Sequence, residues 1–384
     1  MRVKDKEQVT PEIDDLDDNY YTKTSCSLLS WGDFLCTQME NWSLKHSPLH
    51  VDVVSGSNRL ESISEDSVTT ERQTDLLTNF IPTLRSGEWS DIGGRPYMED
   101  AHICIADLAK NFGCDLVSEE AISFYGEQVF DGHGGKDASH FVRDHLPRVI
   151  VEDVDFPLEL EKAVTRSFME TDAAFAKSCS LESSLASGTT VLTAMIFGRS
   201  LLVANAGDSR AVLSWHGRAI EMSKDHRPCC MKERRRIEAL GGFVDDGYLN
   251  GQLGVTRALG DWHIEGMKET GERIPLSAEP ELKMITLTKE DEFLIIGSDG
   301  IWDVFTSQNA IDFTRRRLQE HNDVKLCCKE IVEEAIKRGA TDNLTVVVVC
   351  FHLEPPQPSV RQRGTVRRSI SAEGLQSLKC LLEG

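Results

Sequence analysis

The chain has 384 residues, of which 40% are hydrophobic and 27% are charged, which is ordinary for a large globular domain with additional segments. Its 63 acidic residues outnumber 42 basic residues and give a formal net charge of −21, so nucleic acid is not expected as a partner. No apolar stretch approaches the roughly 20 residues that span a bilayer, so no membrane association is expected either.

The 11 cysteines are scattered along the chain, and no Cys-x-x-Cys pair occurs. This pattern gives little support to a cysteine zinc site or to a thiol redox motif. Free thiols are typical of a reducing compartment, and no apolar leader core follows Met1. We therefore expect a cytoplasmic or nuclear protein, and we expect it to be a monomer.

Three regions are distinguished by composition and periodicity. Residues 1–85 are acidic and rich in Ser and Thr, without helical or strand periodicity, which predicts a largely disordered extension. Residues 86–353 alternate between strand-like and helix-like patterns and are expected to form the globular domain. Residues 354–384 contain proline, serine and several arginines, which predicts a flexible basic tail.

The globular region is predicted to contain several strands that follow one another without an intervening helix. Apolar runs of strand length lie at 101–105, 122–130, 189–197, 200–206, 211–215, 292–297 and 344–351. Helices are predicted at 158–178, 232–240 and 324–338, the last two ended by glycine. This order favours an α+β protein of mostly antiparallel sheets covered by helices over a doubly wound parallel sheet.

Four aspartates stand at the ends of apolar strands, each next to Gly or Asn. They are Asp131, Asp208, Asp299 and Asp342. One Asp-Gly pair alone is a common turn, but four at strand ends indicate carboxylates that converge. Converging carboxylates repel each other unless cations neutralise them, and hard divalent cations prefer oxygen ligands. Two such ions can activate a water molecule for attack on a phosphate ester.

Two further residues suit the same chemistry. Arg95 could anchor phosphoryl oxygens through its guanidinium group, although a surface arginine in a turn is an alternative interpretation. His133 could donate a proton to a leaving alkoxide, although a purely structural histidine is also compatible with the local sequence.

Seven motifs occur in the order typical of one enzyme family. They are Arg95-Pro96-Tyr97-Met98-Glu99-Asp100, Phe130-Asp131-Gly132-His133-Gly134-Gly135, Ser187-Gly188-Thr189-Thr190, Ala206-Gly207-Asp208-Ser209-Arg210, Thr256-Arg257-Ala258-Leu259-Gly260-Asp261, Ser298-Asp299-Gly300-Ile301-Trp302-Asp303 and Gly339-Ala340-Thr341-Asp342-Asn343-Leu344-Thr345-Val346. Together they resemble the type 2C, metal-dependent (PPM) serine/threonine protein phosphatases. The sequence looks most similar to the plant members of this family. The resemblance covers about residues 86–353.

The resemblance implies a four-layer α-β-β-α sandwich of two antiparallel sheets flanked by helices, with two Mg²⁺ or Mn²⁺ ions and a weaker third. The implied ligands of the two main ions are Asp131 as the bridge, the carbonyl of Gly132, Asp299 and Asp342. Glu99 and Asp100 would lie in or beside this shell, and Asp208 and Asp303, with Asp299, match the third-ion positions. Arg95 would hold the phosphate and His133 would act as the general acid.

The implied function is hydrolysis of phosphoserine and phosphothreonine in proteins without a covalent intermediate. One departure from the family pattern is the two-residue insertion Glu127-Gln128 just before Asp131, which predicts a local bulge. It also leaves open a catalytically weak, phosphatase-like protein that binds phosphoproteins. A different two-metal phosphohydrolase is a third alternative. Tyr248 stands where the abscisic-acid co-receptor branch of plants carries Trp, which argues against hormone-receptor binding.

Overall fold

The computed structural model describes residues 80–113, 121–126, 132–181, 185–268 and 274–358. Residues 1–79 of the predicted acidic extension and 359–384 of the predicted basic tail lie outside these ranges, as does the segment 127–131 that contains Glu127, Gln128 and Asp131.

The described strands and helices are these. The strands are β1 (Arg85–Asp91), β2 (Ile103–Ile105), β3 (Ile122–Gly126), β4 (Gly132–His133), β5 (Gly188–Thr189), β6 (Val191–Phe197), β7 (Ser200–Ala206), β8 (Arg210–Trp215), β9 (Arg218–Glu221), β10 (Val244–Asp245), β11 (Tyr248–Leu249), β12 (Leu259–Gly260), β13 (Glu281–Thr286), β14 (Asp291–Gly297) and β15 (Leu344–Cys350). The helices are α1 (Leu108–Asn111), α2 (Asp137–Glu152), α3 (Leu160–Leu181), α4 (Met231–Ala239), α5 (Asp299–Trp302), α6 (Ser307–His321) and α7 (Val324–Lys337).

Two five-stranded sheets are antiparallel throughout. The first has the order β1-β15-β14-β8-β9 and the second the order β13-β7-β6-β3-β2. The interior strand β15 is buried along its whole length, as expected for a run of valines covered on both faces. Sequential hairpins make the pairs β6–β7 and β8–β9, whereas β1 pairs with β15 from the far end of the chain.

The sheets pack against each other and each carries helices on its outer face. Apolar residues of both sheets, among them Leu192, Val203, Leu294 and Val347, form the core between them. Helices α2 and α3 cover the second sheet, and α6 and α7 cover the first. The layers are therefore α-β-β-α, and the predicted α+β class with two antiparallel sheets is confirmed.

The predicted elements agree closely with these bounds. The helical stripe of Val164, Phe168 and Phe175 is buried on α3, as the spacing predicts. Helix α7 begins after the N-cap Asp323, whose side chain accepts a hydrogen bond from the amide of Leu326. The sequence analysis did not predict β1, α2, α6 and β13. Strands β1 and β13 mix apolar and polar residues without alternation, whereas the buried residues of α2 and α6 do recur at helical spacing, as Val142, Leu146 and Ile150 show.

Two small units lie beside the sandwich. Strands β12, β5 and β4 form a three-stranded sheet, so the residues after the 127–131 segment pair away from the sheet that contains β3. Helix α4 and strands β10 and β11 belong to a separate apolar cluster built around Ile237, Leu249 and Leu276. Among the described helices, none combines the length and apolar character that crossing a bilayer requires.

Candidate active site

His133 lies on β4 and contacts a buried carboxylate. Its Nε2 atom is 2.7 Å from Oδ2 of Asp261, a side chain with no exposed surface. Residue 188, opposite His133 on β5, is glycine, and a Cβ atom there would lie 2.1 Å from the same Asp261 oxygen. The glycine therefore opens the space through which Asp261 reaches the imidazole.

The backbone around Asp261 is specialised for this contact. Gly260 and Asp261 have φ values of 85° and 58°, and the amide of Asp261 donates to the carbonyl of Ser187 at 2.9 Å. Asp172 on α3 accepts hydrogen bonds from the Gly260 amide and from the ammonium group of Lys268. Sequence reasoning counted Asp261 only as part of a motif, because its pairing with His133 spans 128 positions.

Asp100 is a buried carboxylate at the junction between the sheets. Its Oδ2 accepts a hydrogen bond from Thr345 Oγ1 at 2.9 Å, and its Oδ1 has no hydrogen-bond partner in the described part of the chain. Burial raises the pKa of Asp100 to about 8, and the neighbouring Asp299 and Asp342 carboxylates add to this effect, against the hydrogen bond from Thr345. Asp299 and Asp342, which the sequence analysis also assigned to the site, therefore lie close enough to Asp100 for their charges to repel its carboxylate.

Asp299 and Asp342 are brought together by close backbone packing. Asp299 begins the short helix α5, directly after β14, and Asp342 precedes β15. A Cβ atom on Gly300 would lie 2.2 Å from the carbonyl oxygen of Asn343, so only glycine permits this approach. Gly300 thus allows the segment that carries Asp299 to pack closely against the segment that carries Asp342.

Arg95 contacts a predicted metal ligand. Its Nη2 atom is 2.6 Å from Oδ2 of Asp342, and the arginine side chain is 54% exposed. Asn343 fixes the surrounding loop, since its amide group donates to the carbonyls of Ile92 and Tyr97 and accepts from the amide of Glu99. The sequence analysis missed this clamp, which is signalled only by the Asp-Asn pair.

Glu99 is half-buried, and its backbone is held from both sides. Its amide donates to Asn343, and its carbonyl accepts a hydrogen bond from Ser139 Oγ on α2 at 2.8 Å. The Glu99–Asp100 segment therefore connects the Asp342 loop to the start of helix α2.

A second group of carboxylates surrounds Arg227, a residue that sequence reasoning missed. Its guanidinium lies 2.9 Å from Asp208 Oδ2, 3.4 Å from Asp303 Oδ1 and 3.9 Å from Asp299 Oδ2. Burial raises the pKa of Asp208 to about 7, with the Asp299 carboxylate adding to the shift and Arg227 opposing it. Asp299 therefore borders both groups, and Asp303 is more than half exposed.

The donor set fits a hard divalent cation. Among the described residues the Oδ1 atoms of Asp100 and Asp208 are buried without a hydrogen-bond partner, and the surrounding side chains offer carboxylate oxygens, which Mg²⁺ and Mn²⁺ prefer. Within the described ranges, no three acidic, His or Cys side chains already stand close enough to enclose an ion. Arg95 pairs with Asp342 and Arg227 with Asp208, and Asp131, the predicted bridging ligand, lies outside those ranges.

Comparisons with known proteins agree with one another. The family model described as protein phosphatase 2C matches residues 92–344. A rice protein named probable protein phosphatase 2C 27 is 72% identical over 327 residues, which is 85% of this chain and 92% of the relative. The Arabidopsis thaliana protein named probable protein phosphatase 2C 22 is 60% identical over 312 residues, which is 80% of this chain and 79% of the relative.

A solved structure shares the fold. A serine-threonine phosphatase 2C from Toxoplasma gondii superimposes with a TM-score of 0.59 at 22% identity, covering 72% of this chain and 98% of that one. At this identity the likeness concerns the architecture alone.

Proposed function

This chain belongs to the protein phosphatase 2C family and is a protein serine/threonine phosphatase. On that premise we propose that it hydrolyses phosphoserine and phosphothreonine in proteins with a water molecule activated by two divalent cations, without a covalent intermediate. When bound, Mg²⁺ or Mn²⁺ supplies the charge that activates the water and screens the phosphoryl oxygens.

One observation carries the proposal: buried carboxylate oxygens that have no hydrogen-bond partner among the residues that the structure describes. The Oδ1 atoms of Asp100 and Asp208 are in this state, and the pKa of each carboxyl is raised to about 8 and about 7. A protein seldom keeps such groups unless an ion or ligand compensates them. Asp131, Gly132, Asp299 and Asp342 are the proposed holders of the two main ions, with Glu99 and Asp100 beside them.

Arg95 is proposed to hold the phosphoryl group. Its side chain is half exposed and pairs with Asp342, so an ion on Asp342 would release the guanidinium toward an incoming phosphate. Both nitrogens of a guanidinium fork can then donate to phosphate oxygens.

His133 is proposed to deliver the proton that the leaving alkoxide needs. Its contact with Asp261 at 2.7 Å fixes the ring and favours a proton on Nε2, while about a third of the side chain remains exposed toward solvent. A general acid of this kind contributes about 10²- to 10⁴-fold to the rate.

The catalytically weak binding protein that the sequence left open is not favoured by the family assignment. The acidic and basic positions of the site are all present in the sequence. We propose phosphorylated proteins as substrates of a monomeric, cytoplasmic or nuclear enzyme that needs neither nucleic acid nor a membrane.

The test is turnover of a phosphothreonine peptide by the full chain with Mn²⁺, with EDTA and as Asp131→Asn. We expect activity that requires the metal and is lost in the variant, whereas Asp144→Asn, an exposed carboxylate paired with Arg143 on α2, should behave as wild type. Turnover that persists in EDTA would contradict the mechanism. Inactivity with metal that is restored by deleting Glu127 and Gln128 would instead identify the insertion as the defect.

The role of His133 has a separate test. His133→Asn should lower kcat on the phosphothreonine peptide by about 10²-fold or more. It should lower kcat much less on p-nitrophenyl phosphate, because this leaving group departs without a proton. Equal losses on the two substrates would argue for a structural histidine.

A further inference from the structure

Arg227 brings a positive charge into the carboxylate group that resembles a third-ion site. It comes from the loop between β9 and α4, whereas Asp208 follows β7 and Asp299 and Asp303 lie at the two ends of α5. Its Nε is 2.9 Å from Asp208, and its Nη2 is 3.4 Å from Asp303 and 3.9 Å from Asp299. One guanidinium therefore faces carboxylates from two separate loops.

Charge rather than hydrogen bonding dominates the contact with Asp208. The Nε–H of Arg227 is buried and donates no hydrogen bond to a described residue, although its nitrogen is 2.9 Å from the carboxylate oxygen. The neighbouring Arg210 differs, because it donates two hydrogen bonds to Asp225 at 2.8 Å and 2.6 Å and lies over the ring of Trp302. Arg210 is therefore held by two short hydrogen bonds, whereas Arg227 donates one long hydrogen bond of 3.4 Å, to the exposed carboxylate of Asp303.

The Arg227 side chain can also move away from the carboxylates into solvent. About a third of it is exposed, and Asp303, the outermost carboxylate, is 57% exposed. A long side chain at such a position can move into solvent while its backbone stays in place. Movement of Arg227 would make three carboxylates available to an ion. They are those of Asp299, Asp303 and Asp208, whose buried Oδ1 has no hydrogen-bond partner within the described ranges.

We propose that Arg227 is a built-in cation that competes with the weaker third divalent ion for Asp208, Asp299 and Asp303. At low metal concentration its guanidinium neutralises the group, and the third ion binds only when the guanidinium leaves. The ion and the guanidinium exclude each other because two positive charges within a few ångströms repel strongly in a partly buried site. This inference rests on the proposed metal centre and adds an internal competitor to it.

The test is calorimetric titration of the metal-free full chain with MnCl₂. Arg227→Ala should lower the dissociation constant of the weakest Mn²⁺ site at least tenfold, which corresponds to about 1.4 kcal/mol. The two tighter sites should stay within about threefold of wild type. Arg227→Lys, which keeps a charge at this position, should show a smaller gain than Arg227→Ala.

Two matched variants locate the effect. Arg234→Ala removes an exposed arginine of α4 that pairs with Glu238, and it should leave all Mn²⁺ affinities unchanged. Adding Asp303→Asn to Arg227→Ala should cancel the gain, since the weak site then lacks one of its carboxylates.

The possible failures are distinguishable. Tight Mn²⁺ binding with no gain at the weak site in Arg227→Ala would overturn the competition and leave the proposed function intact. A gain that survives the addition of Asp303→Asn would overturn the assignment of the site. No Mn²⁺ binding by the wild-type chain would overturn the metal centre itself. If Arg227→Ala does not fold, as judged by circular dichroism, Arg227→Gln takes its place under the same criteria.

Discussion

Buried carboxylates occur in two regions of this molecule with opposite electrostatic surroundings. Glu233 on α4 accepts hydrogen bonds from Arg236, Arg257 and Thr256, so its charge is fully compensated. Burial alone would raise its pKa, but the bonds from Arg257 and Arg236 more than offset this and lower the pKa to about 2. Among the described residues Asp100 accepts hydrogen bonds from hydroxyl groups and from no arginine, and burial raises its pKa to about 8.

The contrast between Glu233 and Asp100 gives a criterion that separates structural from functional buried carboxylates. A buried carboxylate whose counter-ions come from the chain is compensated in the folded protein, and its removal destabilises the fold because it leaves those counter-ions buried and unpaired. A carboxylate that the fold buries beside other carboxylates destabilises the metal-free protein and gains its compensation from a bound cation. The following predictions test this contrast.

The largest effect is expected at Asp299, which borders both carboxylate groups of the site. Asp299→Asn should lower kcat on a phosphothreonine peptide by about 10³-fold or more, because several kcal/mol of charge stabilisation depends on the ions it would hold. Steady-state kinetics with Mn²⁺ measure this. Asp312→Asn, an exposed carboxylate on α6, is the control and should keep full activity. A loss below tenfold in Asp299→Asn would contradict its role.

Glu233→Gln should destabilise the protein by about 3–5 kcal/mol. The change leaves Arg236 and Arg257 without their shared carboxylate in a buried setting. Urea unfolding of the metal-free protein measures the effect. Glu238→Gln, on the same helix but exposed, should change the free energy of unfolding by no more than about 1 kcal/mol. Similar losses of unfolding free energy in Glu233→Gln and Glu238→Gln would show that the buried pairing of Glu233 with the two arginines contributes no more than an exposed ion pair.

His226 should make stability depend on pH between about 6.5 and 4. Its Nδ1 accepts from the amide of Gly207, its Nε2 faces Glu281, and Arg257 and Glu233 lie nearby. Burial, followed by the Arg257 charge, lowers its pKa from 6.5 to about 4. As pH falls through this range the unfolded chain gains a proton that the folded one does not, so stability is lost.

This loss should amount to about 3 kcal/mol over the full range, since each pKa unit corresponds to 1.36 kcal/mol. Urea unfolding of the metal-free protein at pH 7 and pH 4.5 measures most of it. His226→Gln should unfold with a smaller difference between the two pH values. An equal difference in the variant and the wild type would show that other groups cause the dependence.

Asp100→Asn should change the free energy of unfolding in the opposite direction to Glu233→Gln. Removing a carboxyl that burial and two neighbouring carboxylates disfavour should stabilise the metal-free protein by about 1–3 kcal/mol at pH 8. Saturating Mn²⁺ should reduce or reverse this advantage, because the wild-type carboxylate is then compensated. Thermal melts with and without Mn²⁺ measure both effects. If Asp100→Asn destabilised the metal-free protein, the proposed contrast between Asp100 and Glu233 would be wrong.

Much of the architecture could be predicted from local sequence because its signals are local. The valine run before Phe351 became the buried strand β15, and the stripe through Phe168 became the buried face of α3. Four carboxylates of the site, those of Asp131, Asp208, Asp299 and Asp342, were also recognisable, since each stands beside Gly or Asn at a strand end. Period-2 runs, helical stripes and turn dipeptides are all encoded within a few residues.

The tertiary structure decided which charges meet. Arg227 contacts Asp208 and Asp303 across separate loops, and Asp261 reaches His133 from 128 positions away, through the space left by Gly188. No local pattern encodes such pairs, because burial and distance exist only once the sheets have packed. The sequence by itself therefore determined the family, the layers and the candidate ligands. Packing determined which carboxylates are compensated by arginine and which are left for a cation.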